Sequence, residues 1–227
     1  MDRFTEALGW YFVFLFSTTL HEAAHAWAAK KGGDLTAYHG GQVSLDPLPH
    51  IKREPLGMVV FPLLFSLVLG WPFGFASAPY DPIWARNYPR RAAMMALAGP
   101  AANFLLVGLA ALVIRIGMFC GGFEPPDLFS LTAITLGAPE GFWASGALLV
   151  SMFFSLNLIL AVFNLLPLPP LDGSTGMALL LKEETATTFQ NFIDQPMSRG
   201  IGLLLAWNIF GPLSRPLFLA ALNLLYP

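Results

Sequence analysis

The sequence predicts an all-α polytopic membrane protein, and three observations carry that prediction. Of the 227 residues, 56% are hydrophobic and 11% are charged, and the mean hydropathy is +0.61. Ordinary soluble domains carry about 25% charged residues. The apolar residues also form long blocks instead of amphipathic stripes, which is typical of membrane-spanning helices. We expect one domain over residues 1–227 with about five to six membrane helices.

Charge and cysteine content exclude several classes of protein. The formal net charge is −2 without a basic stripe, which argues against a nucleic-acid partner. Cys120 is the only cysteine, so an internal disulfide and a Cys-x-x-Cys site are excluded. Asp2 and Glu6 offset Arg3, so the N-terminus lacks the charge pattern of a cleavable signal peptide. We therefore expect the first apolar helix to be retained.

The first helix is expected over residues 5–30, which is long enough to cross a bilayer. Lys30 and Lys31 place its end on the cytoplasmic side. Residues 37–49 then contain glycine pairs and a short alternation of polar and apolar residues at 42–45. This pattern favours either a small re-entrant β-ribbon or a plain cytoplasmic loop. The free edge of a ribbon would accept an extended peptide as an added strand.

The remaining chain alternates apolar blocks with polar or proline-rich segments. Residues 57–71 are apolar but short for a span, and residues 73–80 look extended, so we expect a re-entrant helix and strand or a tilted span with an extended return. Further spans are expected over residues 92–117, 142–166 and 201–225, the last interrupted by prolines near 211–216. A short helix is expected over residues 175–181, followed by a polar cytoplasmic interval.

Residues 21–25, His-Glu-Ala-Ala-His, carry the clearest chemical signal in the chain. Two histidines four residues apart lie on one face of a helix, where both imidazoles reach one metal ion. Glu22, between them, is placed to take a proton from a water bound to that metal. Ionisable residues are costly beside lipid, so this cluster at membrane depth predicts a zinc site of the hydrolase type.

The third protein ligand has several candidates in the sequence. Catalytic zinc takes three protein ligands and leaves a fourth position for water. His39 and His50 are available, but neither stands at a recognised ligand spacing after His25. Glu54 could be a glutamate ligand like those of soluble metalloproteases, but its charged neighbours indicate a surface position. Asp172 is favoured, because it is a carboxylate directly after the proline-broken end of a membrane helix. Its alternative role is to cap the following short helix.

Three segments together resemble the site-2 proteases, a family of intramembrane zinc metalloproteases. They are HEAAHAWAAKKGGD at 21–34, AGPAAN at 98–103 and NLLPLPPLDG at 164–173. They stand in the family's order and extend over nearly the whole chain. Residues 40–51 and 85–91 also resemble the compact bacterial subgroup without an appended PDZ or CBS domain. The resemblance makes residues 1–227 a single transmembrane metalloprotease domain, without the extra helix that some relatives place before the metal helix.

The resemblance implies one zinc ion per chain, held by His21, His25 and Asp172, with Glu22 as general base and acid. The expected fold then has the small re-entrant β-ribbon near the zinc site. The expected location is the bacterial inner membrane, crossed several times by the chain. The lipid bilayer and a membrane-protein substrate with a transmembrane helix are the expected partners.

Two asparagines are further candidates for the site. The resemblance implies that Asn164 binds the substrate backbone near the scissile bond, and its alternative role is a helix-capping or interhelical hydrogen bond. Asn103 is expected either to contact substrate or to pack between helices.

The expected reaction is hydrolysis of peptide bonds in or near transmembrane helices, as in regulated intramembrane proteolysis. We expect the substrate to enter laterally and to extend against residues 40–45. The alternatives are a zinc transporter, a non-catalytic membrane scaffold, and a membrane protease of the kind that cleaves prenylated peptides, with Glu54 as third ligand. A transporter would carry several ionisable residues along a path between its helices, whereas this chain concentrates them at one place.

Overall fold

The computed structural model describes residues 3–139 and 141–227, and these residues are mostly helical. In chain order the helices are α1 (Arg3–Gly32), α2 (Thr36–His39), α3 (Pro47–Arg53), α4 (Phe61–Leu69), α5 (Pro82–Asn87), α6 (Pro89–Phe119), α7 (Trp143–Asn164), α8 (Asp172–Gly176), α9 (Glu183–Ile193) and α10 (Pro196–Leu225). A π-helical turn, Leu56–Val60, leads into α4, and a 3₁₀ turn, Met177–Leu179, follows α8. The strands β1 (Phe123–Glu124) and β2 (Leu136–Gly137) pair antiparallel.

Helix α1 confirms the predicted helix over the first apolar block and lies at the centre of the fold, while its crossing of a membrane stays a prediction. It packs against α6, α7 and the short α4. Trp10, Val13 and Phe14 are buried at helical spacing and form an apolar cluster with α7. The helix ends at Gly32, and the φ of +100° at the next residue, Gly33, is left-handed and easily adopted only by glycine.

The prediction of a β-ribbon at residues 37–49 is wrong. Residues 36–39 are the short helix α2, bends and turns follow, and α3 begins at Pro47. Asp46 caps α3 by accepting a hydrogen bond from the Leu48 backbone N–H, and Pro47 is the first residue of the helix. Both residues favour the start of a helix at this point. The strand pair lies in the loop between α6 and α7 instead, where the Ser151 hydroxyl accepts bonds from backbone N–H groups of that loop.

Residues 57–80 have the expected shape of a short helix and an extended return. The π-turn and α4 together cover residues 56–69, and no helix or strand is assigned over residues 72–80. The extended part lies directly on the π-turn, where the Phe75 N–H donates to Gly57 O at 3.1 Å. A Cβ on Gly57 would collide with Phe75 O, and one on Gly74 would collide with Gly57 O and the Phe14 ring. Glycines at both positions therefore permit this contact.

Within the described residues, three helices are long and apolar enough to cross a membrane: α6, α7 and α10. The chain therefore has the character of a membrane protein, while the expected total of five to six membrane helices remains a prediction. The expected spans 92–117 and 142–166 correspond to α6 and α7. The expected interruption of the last span is wrong, because α10 continues through Pro212 and Pro216.

The prediction for the short region after α7 is correct in part. The expected helix at 175–181 begins earlier, at Asp172, and becomes 3₁₀ at Met177. The polar interval that follows is the helix α9, one face of which packs against α5, α6 and the 3₁₀ turn. Ala93 of α6, Ala178 and Ala186 form a small buried cluster there. This cluster ties the segment that carries Asp172 to the centre of the fold.

Candidate metal centre

Helix α1 brings His21, Glu22 and His25 together in a buried position. Each residue is at most 7% exposed. One turn of helix separates the two histidines, so their rings meet edge to face with Nε2 atoms 2.9 Å apart. A metal-ligating atom of Glu22 lies within 4.8 Å of one on each histidine.

Asp172 completes the group from the first residue of α8. Its Oδ2 atom lies 3.2 Å from His21 Nε2 and 3.4 Å from His25 Nε2. A tetrahedral zinc ion with bonds of about 2.0–2.1 Å keeps its ligand atoms roughly 3.3 Å apart. The three observed separations, 2.9, 3.2 and 3.4 Å, are close to that value. The geometry therefore fits three ligands of one zinc ion.

The hydrogen bonds behind the histidines fix which nitrogen of each ring carries a proton. His21 Nδ1 lies 2.5 Å from Asn103 Oδ1, and His25 Nδ1 lies 2.8 Å from the Met95 carbonyl oxygen. Both partners accept hydrogen bonds, so both histidines hold their proton on Nδ1. The Nε2 lone pairs of both rings therefore face each other and the Asp172 carboxylate without a hydrogen between them, an arrangement that a cation stabilises.

A chain of side-chain amides determines the orientation of Asn103. The Asn157 amide nitrogen donates to the Phe153 carbonyl and to Ser17 Oγ, both at 2.9 Å. Asn157 Oδ1 then accepts from Asn103 Nδ2 at 2.8 Å, which turns Asn103 Oδ1 toward His21. Asn103 and Asn157 are both fully buried. This network joins α1, α6 and α7 behind the candidate metal position.

Gly99 leaves the space that the ion needs. A Cβ at this position of α6 would collide with the Nε2 atoms of both His21 and His25. The space next to the two ligand nitrogens is therefore open only because residue 99 has no side chain. Pro100 follows within the same helix, and α6 stays helical through it.

Asn164 and Asp172 lie at the two ends of a tight turn between α7 and α8. Asn164 is half-buried, and its amide nitrogen donates to the Leu160 carbonyl of its own helix at 3.0 Å. Gly173 lies against the backbone of the turn, where a Cβ would collide with Leu165 O. The turn thus brings the carboxylate back toward the end of α7.

The rival ligands are occupied elsewhere or exposed. Glu54 Oε1 accepts a hydrogen bond from Ser77 Oγ at 2.6 Å, and His50 Nε2 lies 3.1 Å from Ser44 O. His39 is exposed. Among the residues that the structure describes, the group that could hold a metal consists of His21, Glu22 and His25. None of the three rival residues belongs to it.

The comparisons with known proteins agree with this geometry. The model of a protein family described as Peptidase family M50 matches residues 10–207 of the chain. The chain belongs to this family. Because the match runs from α1 into α10, the M50 assignment includes every residue of the candidate metal centre.

Three relatives that match the chain are named as candidate zinc metalloproteases. YwhC of Bacillus subtilis (strain 168) is 37% identical over 164 residues, which are 70% of this chain and 63% of YwhC. Rip2 of Mycobacterium tuberculosis (strain H37Rv) is 31% identical over 78% of this chain and 57% of Rip2. Rip2 of Mycolicibacterium smegmatis is 29% identical over the same shares. The chain thus spans about three fifths of the length of these relatives, and no solved structure matches it.

Sequence reasoning missed two groups that the structure places around the site. Asn157 and Ser17 are polar residues inside apolar helices, and the cost of burying them was a signal that could have found them. The Met95 carbonyl and the position of Gly99 beside the histidine nitrogens depend on how α1 and α6 are aligned, which a single sequence does not reveal.

We predict that Gly99→Ala abolishes zinc binding, because the new Cβ would overlap the histidine nitrogens. The loss of affinity should exceed the roughly 10- to 100-fold effect of removing a group behind a ligand. Zinc content of the purified protein, measured by mass spectrometry of the metal, checks this. Gly108→Ala on the same helix is the control, since a Cβ there meets no atom within 4 Å. Full zinc occupancy in Gly99→Ala would contradict the placement of the ion.

We predict that Asn103→Leu weakens zinc binding by roughly 10- to 100-fold, because His21 loses the acceptor that holds its proton on Nδ1. Competition with a zinc chelator measures the change in affinity. Asn208→Leu is the matched control, because Asn208 is exposed on α10 and its amide bonds only to its own helix. Equal affinities of the two variants would show that Asn103 does not orient His21.

Proposed function

We propose that this chain is an intramembrane zinc metalloprotease that hydrolyses peptide bonds in or near transmembrane helices. The observation that carries the proposal is the convergence of His21, His25 and Asp172 beside Glu22, between helices apolar enough to span a membrane. Membership of family M50 supports it. The relatives' names support zinc as the metal.

The residues around the site supply the acid and base chemistry. A zinc ion held by His21, His25 and Asp172 would supply Lewis acidity toward the scissile carbonyl and would acidify the attacking water. Glu22 accepts a proton from the attacking water while the water oxygen bonds to the carbonyl carbon. Glu22 then returns a proton to the leaving nitrogen as the C–N bond breaks. The products are a carboxylic acid and an amine.

The extended segment 72–80 takes the role that the sequence suggested for residues 40–45. Trp71 packs edge-on against Trp10 near the start of α1, and the Asp81 N–H donates to Asp34 Oδ2 at 2.9 Å beyond its end. The segment is therefore held alongside α1 and passes the stretch that carries the histidines. A substrate that adds to it as a strand would lie next to the metal centre.

The free edge of this segment can be identified from its hydrogen bonds. The Phe75 N–H is bonded to Gly57 O, and the Ser77 carbonyl accepts from Gln42 Nε2 at 3.2 Å. Alternate residues of an extended chain direct their backbone groups to opposite sides. The N–H and C=O groups of Ala76 and Ala78 therefore lie on the other edge, which is available to an unwound substrate.

The hydrogen bonds of Asn103 and Asn164 suggest different roles for these two asparagines. Asn103 is buried with both ends of its amide engaged, so we propose that it positions His21 and does not contact substrate. Asn164 is half-buried, and its amide oxygen is left to accept a hydrogen bond from a substrate N–H.

We place the protein in a bacterial inner membrane, with the basic ends of α1 and α6 on the cytoplasmic side. Lys30 and Lys31 close α1, and Arg90 and Arg91 open α6, which agrees with the excess of basic residues on cytoplasmic ends. A transporter is disfavoured, because the described residues contain one possible metal-binding group and not a series along a path.

We predict that Glu22→Gln lowers cleavage by at least about 10²–10⁴-fold and leaves zinc bound, because the amide cannot accept the proton from water. Cleavage of a panel of single-span membrane substrates by protein in lipid vesicles, with zinc content measured in parallel, checks this. Glu54→Gln is the control and should keep both zinc and activity, since its side-chain oxygen still accepts from Ser77. Full cleavage by Glu22→Gln would overturn the proposed function, and zinc loss in Glu54→Gln would revive Glu54 as a ligand.

We predict that Ala76→Pro slows cleavage of a membrane substrate about fivefold or more, because it removes one donor from the free edge, worth about 1 kcal/mol. Zinc content should not change. Ala76→Val adds a side chain but keeps the N–H, so it should cleave normally. Equal rates for the two variants would show that substrate does not pair with this edge.

A further inference from the structure

Helices α7 and α10 enclose a cleft that the proposed proteolysis does not use. Two edge-on ring contacts join α10 to α7: Phe210 meets Phe163 at 5.2 Å, and Phe218 meets Phe154 at 6.5 Å between ring centres. Between these contacts the two helices leave a space of about 310 Å³. Its lining is mostly apolar and includes Leu158, Ile159, Val162, Leu217, Ser214 and Arg215.

The cleft lies on the far side of α7 from the metal centre. Successive residues of an α-helix are about 100° apart around its axis. Leu158, Ile159 and Val162 are therefore on average about 150° from Asn157, which points into the network behind His21. An occupant of the cleft would not touch the ligands of the metal.

Arg215 is the unusual member of the cleft. It lies in an apolar helix long enough to cross a membrane, and no described residue forms an ion pair or a hydrogen bond with its guanidinium group. At 1.5 Å per residue, Arg215 is about 24 Å along α10 from Arg199 and about 15 Å from Leu225. From that depth a long side chain reaches toward the nearer membrane surface. The Arg215 side chain is exposed on α10, so an anion from the surrounding membrane would stabilise its charge at this depth.

The membrane around the cleft can offer Arg215 an anion in the form of a lipid phosphate. A narrow hydrocarbon chain suits the apolar lining of this cleft. Phospholipids join such chains to a phosphate that matches the charge of Arg215.

We propose that the cleft binds one anionic phospholipid, with an acyl chain between α7 and α10 and the phosphate on Arg215. The bound lipid fills a gap in the contact of α10 with the other helices. That contact is otherwise small, because 6% of the most apolar window of α10 is buried, against 56% in α7. This proposal is independent of the metal centre and of proteolysis.

The test is native mass spectrometry of the purified protein incubated with equal amounts of phosphatidylglycerol and phosphatidylcholine that carry the same acyl chains. One phosphatidylglycerol per chain should be retained with at least tenfold preference. Arg215→Gln should lose that preference, whereas Arg215→Lys should keep it. Arg90→Gln, an exposed arginine at the opposite membrane surface, is the control and should behave as the unchanged protein. Ile159→Trp fills the cleft and should reduce retention of both lipids.

Three results would overturn the proposal. Equal retention of the two lipids by the unchanged protein would show that charge is not recognised. Equal retention of phosphatidylglycerol by Arg215→Gln would remove Arg215 from the site. Unchanged lipid binding in Arg215→Gln, together with lost cleavage only of substrates that have an acidic residue in their span, would assign Arg215 to a substrate helix instead.

Discussion

Two histidine Nε2 atoms and one Asp172 carboxylate oxygen face one another within 3.4 Å, and the surrounding helices hold them in this position. Two imidazole nitrogens and a carboxylate oxygen repel each other at such distances unless a cation lies among them. The Asn103 oxygen and the Met95 carbonyl hold the protons on the outer nitrogens, and the missing side chain at Gly99 leaves the space. Folding of this region and metal binding are therefore coupled through the same few atoms.

The amide network behind His21 explains why polar residues are tolerated inside apolar helices. Asn157, Asn103 and Ser17 come from three different helices, and each finds its partner only if α1, α6 and α7 are in one alignment. A shift of any helix would leave a buried amide without a partner, which costs several kcal/mol in an environment without water. The network thus fixes the relative positions of three helices whose apolar surfaces alone specify little.

The sequence predicted the parts of the site that depend on local spacing. His21 and His25 stand one turn apart in any helix, and Asp172 follows a proline-broken span, so their roles could be argued without coordinates. The ribbon at residues 40–45 was predicted wrongly, because an alternation over four residues is too short to outweigh the helix start at Asp46 and Pro47. The positions of Gly99 and Asn103 relative to His21 depend on interhelical alignment, which no local pattern encodes.

In the proposed reaction, the extended segment 72–80 is already ordered, so the substrate is the partner that must change its conformation. One edge of the segment is already bonded to Gly57 and Gln42, and Asp34 holds the residue after its end. The open edge therefore exists before substrate arrives, and little of the enzyme has to be ordered on binding. A substrate helix, by contrast, must give up its own backbone hydrogen bonds, which are costly to break in lipid. Under the proposed reaction, we expect transmembrane helices that are weak near the cleaved bond, such as those interrupted by proline or glycine, to be preferred as substrates.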